Sequence, residues 1–89
     1  MLFIVSWTGR PEHRDASVAR FRETGGAPPA GVKMIGRWHA LGSSQGVAIA
    51  EASDPVAVEK WTLQWTDLFS MDVRPALTDE ELGSALESA

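Results

Sequence analysis

The chain has no cysteine, so no disulfide can staple it, and no His or Cys spacing resembles a metal site. Basic residues are scarce: 8 Lys and Arg stand against 12 Asp and Glu, a formal net charge of −4. Nucleic-acid binding needs a basic face that displaces counterions, so that partner class is excluded. Lys33, Arg37 and Arg74 amount at most to a patch for one anion. No stretch reaches the ~18–20 apolar residues of a membrane span. The opening "MLFIVSWTGR" lacks a basic lead-in and a small-residue cleavage site, so it reads as a first strand rather than a signal. Chemical motifs are missing too. Ser43 and Ser44 have no G-x-S-x-G elbow around them, and Gly25, Gly26 and Gly31 surround two prolines without dinucleotide or phosphate-loop spacing. His13 and His39 lie far apart in the sequence. The expectation is a cytoplasmic protein with no metal, no cofactor, no nucleic-acid partner and no membrane partner.

What is present is one domain, residues 1–89, carrying 4 Trp and 3 Phe. A chain this short buries only about two thirds of its unfolded surface. Such small domains gain stability by oligomerising.

Leu2 to Thr8 is β-branched and aromatic, a strand. Gly9, Arg10 and Pro11 break it. Residues 12–24 have helical spacing, with Arg14, Val18 and Phe21 near one face, and Gly25-Gly26 as the stop. "GGAPPAG" is loop. A second strand runs from Val32 to Leu41 and a third from Val47 to Ala52, joined by the turn composition "GSSQG" into a hairpin. Asp54-Pro55 caps and opens a second helix. Its apolar stripe is Val58, Trp61, Trp65 and Leu68. Phe69 to Leu77 is a fourth strand, and Thr78 with Glu81 forms a capping box for a short last helix.

The order β-α-β-β-α-β-α is the ferredoxin-like α+β arrangement, a four-stranded antiparallel sheet with two helices on one face. The other face is left uncovered, with Leu2, Ile4, Ile35 and Leu41 as candidates to lie there. A patch of that kind needs a partner, and the simplest is a second copy packed sheet to sheet, a homodimer.

"GRWHALG" (residues 36–42) carries the most chemistry. Simple alternation places Met34, Gly36, Trp38 and Ala40 under the helices and Lys33, Ile35, Arg37, His39 and Leu41 on the uncovered face. Pairing Leu41 with Val47 sets Arg37 opposite Glu51 and His39 opposite Ile49. A slip of one residue sets them opposite Ala50 and Ala48 and turns Glu51 to the Trp38 face. Arg37 is either a cross-strand ion pair with Glu51 or Asp72 or an anion clamp. His39 is either a hydrogen-bonded interface residue or a general acid or base, since imidazole ordinarily titrates near neutrality. Trp38, Trp61 and Trp65 are core, or flank a flat ligand.

"MLFIVSWT", "FRETGG" before the Pro-rich loop, "GVKMIGRWH" and W-x-x-x-W-x-D-L in "WTLQWTDL" resemble a bacterial family, domain of unknown function 3303, from residue 1 to about 77. That resemblance implies the dimeric α/β barrel superfamily, whose ferredoxin-like subunits pair through their sheets. It transfers no catalytic residues, because the superfamily's chemistry is diverse and fold does not carry it.

Two functions stay open. One is a small-molecule-binding domain or cofactor-independent enzyme for an aromatic or anionic molecule, acting by proton abstraction or oxygen chemistry. Its pocket is expected between sheet and helices, lined by Trp7, Trp38, Trp61 and Trp65, with Arg37, His39, Asp67 or Glu51 as polar groups. The other is a non-catalytic dimeric interaction module with a filled core.

Overall fold

The computed structural model describes residues 1–88. Its order is β1 (Leu2–Gly9), a 3-10 turn (Pro11–His13), α1 (Arg14–Thr24), β2 (Lys33–His39), β3 (Gln45–Glu51), α2 (Pro55–Leu63), β4 (Phe69–Ala76) and α3 (Asp79–Ser88). The four strands form one sheet in the order β2-β3-β1-β4, with every neighbouring pair antiparallel. This is the ferredoxin-like fold expected from the element order.

Local chemistry sets the boundaries. Gly25 takes the left-handed φ of 68° and its N–H donates to the Phe21 carbonyl at 2.7 Å, which stops α1. Asp54 accepts from the Val56 N–H at 2.9 Å and Pro55 occupies the first turn of α2. At α3 the box closes both ways: the Thr78 N–H donates to Glu81 at 3.0 Å and the Glu81 N–H to the Thr78 hydroxyl at 3.1 Å. No described helix is long and apolar enough to cross a membrane.

The hairpin departs from simple alternation. Met34 pairs with Ala50 and Gly36 with Ile49, so Ile35 is an extra residue on β2. A bulge of this kind exchanges the faces of everything beyond it. Met34 keeps its place against the core, but Arg37 now pairs with Ala48 and His39 with Gly46, on the helix side. Gly36 and Trp38 turn outward. The expectation that Trp38 packs under the helices and Arg37 and His39 face away is therefore reversed, and neither proposed register occurs. Glu51 lies opposite Lys33 and Leu2 on the outer face, exposed. Ile35 is the bulged residue, and Leu41 is fully exposed in the turn beyond the strand.

The core is small and sits with α2. Phe3, Val5, Ala48, Ala50, Ala52, Val58 and Trp61 form one buried cluster. By contrast, α1 buries no residue, and Val18 and Phe21 on its sheet-facing side both remain 39% exposed. α3 also buries none. The radius of gyration of 14.6 Å exceeds the ~12 Å of a compact chain of this length.

Two glycines make room for two tryptophans. A Cβ on Gly46 would lie 2.6 Å from Trp7 Cε2 and 2.8 Å from the Trp38 carbonyl oxygen. A Cβ on Gly36 would strike only the ring of Trp38, which is 59% exposed and free to swing. Gly36 thus leaves space on the outer face for the ring of Trp38. Gly46→Ala is expected to cost about 1–3 kcal/mol in urea unfolding, and Gly36→Ala less than half as much.

Candidate functional site

A half-open cavity of about 1020 Å³ lies between α1 and the sheet. Its floor includes Trp7 on β1, Arg37 and His39 on β2 and Met71 on β4; Val18 and Phe21 of α1 form part of its roof, and Trp61 and Trp65 stand at the α2 side. The interior expected of a filled-core module is thus open here. Trp7, Trp61, Trp65, Arg37 and His39 come together as expected of a pocket. Trp38, Asp67 and Glu51 do not line it.

The cavity persists because polar tethers, rather than apolar packing, hold α1. Arg37 donates from Nη1 to the Gly26 carbonyl at 2.8 Å and from Nη2 to the Gly25 carbonyl at 3.0 Å. Its guanidinium carbon lies 5.0 Å from the centroid of Phe21. A cation at the C-terminal end of a helix also meets the negative end of the helix dipole. The partner is backbone, not Glu51 or Asp72. Burial pushes the Arg37 pKa down, yet a guanidinium stays charged in any ordinary buffer.

The second tether is Arg20. It donates to both carboxylate oxygens of Asp67, at 2.7 and 2.8 Å, and to the Gln64 carbonyl at 2.8 Å, while lying 5.5 Å from the Trp65 ring centroid. The hydrogen bond from Arg20 holds the Asp67 carboxyl below its usual range, against desolvation and with help from the charges of Arg20 and His13. The same bond raises the Arg20 pKa. His13 adds a third link, donating from Nδ1 to the Leu68 carbonyl at 3.3 Å. Asp67 therefore anchors a helix outside the cavity.

His39 is different. Its ring meets Trp7 at 5.9 Å and Phe21 at 5.7 Å, both nearly edge to face. Neither ring nitrogen has a hydrogen-bond partner among the described residues. Of the two readings of His39, the hydrogen-bonded one lacks a partner among the described residues, and the imidazole is open to the cavity. Arg22 and Ser17 also line the site. Arg22 has no chemical motif around it in the sequence, and its one signal is that it stands four residues after Val18 and eight after Arg14, the spacing of one helix face.

These roles separate by mutation. Arg37→Ala removes two charge-assisted hydrogen bonds and is expected to cost about 2 kcal/mol in urea unfolding, whereas His39→Ala changes stability by less than about 0.5 kcal/mol. The Asp67 tether gives a pH signature. Its pKa is lower folded than unfolded, so its stabilisation is complete above the ordinary carboxylate value of about 4 and disappears as pH falls through the depressed folded value. The melting temperature of wild type should exceed that of Asp67→Asn by a constant margin from neutrality down to about pH 5, and the margin should close in stronger acid.

A family model described as Domain of unknown function (DUF3303) matches residues 1–89, so the likeness extends beyond residue 77 and through α3. No curated protein matches. Among solved structures, Rv0793 from Mycobacterium tuberculosis is 14% identical, with a TM-score of 0.54 over 88% of this chain and 96% of that one. At such identity the likeness shows the fold alone. With its ferredoxin-like sheet and full-length family match, the chain belongs to the DUF3303 family.

Proposed function

We propose that the protein binds a small aromatic molecule in the cavity beneath α1 and works as a homodimer. The observation that carries the first part is the unfilled space itself. A folded interior ordinarily leaves few voids larger than a water molecule, and ligand sites are ~300–1,000 Å³ clefts with apolar walls and a few polar groups. The cavity of about 1020 Å³ has Trp7, Trp61 and Trp65 as walls and His39 as an unpartnered polar group.

The dimer reading rests on the outer face of the sheet. Ile4 and Trp38 are exposed there, with Leu2, Val47 and Ile49 beside them half-buried. A second copy laid sheet to sheet covers them and leaves both cavities on the outside of the pair.

His39 supports a second reading, cofactor-independent proton transfer. An imidazole with free ring nitrogens beside a bound enolisable compound takes a proton from carbon and returns one to it.

Three results test these readings. Titration with 2-naphthalenemethanol should produce saturable heat in calorimetry, and no heat at millimolar concentration from either it or 2-naphthoate would refute the cavity as a binding site. Sedimentation equilibrium should give twice the 9.6 kDa chain mass for wild type and the single mass for Ile49→Lys. For the proton-transfer reading, exchange of solvent deuterium into 2-tetralone should be faster with wild type than with His39→Gln. Equal rates would leave binding as the function.

A further inference from the structure

Charge is segregated around the cavity. None of the chain's 12 Asp and Glu residues lines it, yet three of its 8 Lys and Arg residues do, Arg14, Arg22 and Arg37. His39 makes a fourth nitrogenous group. In a protein of net charge −4, a wall with cations and no carboxylate is complementary to an anion.

The three arginines are not equivalent. Arg37 is occupied with the Gly25 and Gly26 carbonyls, so it contributes positive field more than free donors. Arg14 donates to its neighbour Asp15 at 3.1 Å. Arg22 has no hydrogen-bond or ion-pair partner among the described residues. Arg14 and Arg22 stand eight residues apart on α1, about 12 Å along the axis, too far for both to grip one carboxylate. Arg22 follows Phe21, whose ring lies under Arg37 and against His39. Arg22 is in the last turn of α1, whose end Arg37 holds above β2, so the free guanidinium, the half-buried Arg37 and the open imidazole lie toward one end of the cavity. Trp65, Phe69 and Met71 occupy the β4 side, and Trp7 lies between.

We infer that the ligand is an amphipathic organic acid, held with its carboxylate at Arg22 and His39 in the field of Arg37 and its flat apolar body across Trp7 toward Trp65. Arg22 is the anion-binding residue, because a planar guanidinium with free donors matches a carboxylate in bidentate fashion. The inference rests on the cavity being a ligand site and adds the chemical class and the orientation.

Calorimetry with three isosteric probes tests it: 2-naphthoate, 2-naphthalenemethanol and 2-naphthylmethylamine. Wild type should bind the acid about tenfold or more tighter than the alcohol and the amine weakest. Arg22→Gln, a change at an exposed position, should erase the acid's advantage and leave the alcohol's affinity unchanged, while Arg14→Gln should weaken the acid by less than about threefold. Equal affinity for acid and alcohol overturns the inference and leaves the cavity reading standing. A preserved acid preference in Arg22→Gln, or a larger loss in Arg14→Gln, overturns the assignment to Arg22. No binding of any probe overturns both.

Discussion

The double hydrogen bond from Arg37 to the Gly25 and Gly26 carbonyls holds the C-terminal end of α1 above β2. Both glycines are in left-handed conformations, with φ of 68° and 59°, which ends the helix and presents its last carbonyls to a neighbour. A bulky apolar residue at position 37 would instead draw α1 down onto the sheet and fill the space beneath it. A guanidinium keeps its distance, because it must reach carbonyl oxygens and stack on Phe21 at the same time.

Arg20 works the same way at the other side, and the two tethers explain why the halves of the molecule differ. α2 is fixed by burial, with Val58 and Trp61 in the core cluster above Ala48 and Ala50. α1 is fixed by directed polar contacts and has no buried residue. Apolar burial scales with area and favours closing every gap, whereas hydrogen bonds fix a distance and leave gaps where the geometry puts them. The cavity lies on the side governed by the second kind of force.

The order of elements was legible because each one carries its own local signal. Asp54-Pro55, Gly25-Gly26 and the Thr78/Glu81 box all mark boundaries that occur in the structure. The inward face of β2 was not legible by alternation, since one extra residue at Ile35 exchanges the faces of Arg37, Trp38 and His39. A glycine inside a strand pattern is a known sign of a bulge, and Gly36 sits beside it. In "GRWH", Arg37 and His39 thus face the helix side of the sheet and Trp38 the outer side, the opposite of what alternation predicts. The Arg20–Asp67 clasp had no comparable signal: its partners are 47 residues apart, and nothing local in either segment names the other. Arg22 was readable in principle from helical spacing, but a free cation is identified only by knowing which other charges have partners.

The bulge also divides the two uses proposed for the sheet. Upstream of it, β2 follows the pairing that sets Met34 against the core; downstream, Arg37 and His39 point to the cavity and Trp38 points away. Adjacent residues in a strand face opposite sides, so a partner covering Trp38 need not obstruct a ligand at His39. Without the bulge those roles exchange: Trp38 turns toward the space under α1, and Arg37 loses the glycine carbonyls, so the C-terminal end of α1 loses its tether to β2. A small domain that leaves Val18 and Phe21 partly exposed forgoes burial it can hardly spare. Any molecule bound beneath α1 then stabilises the fold by mass action, which ties occupancy of the cavity to the persistence of the folded chain.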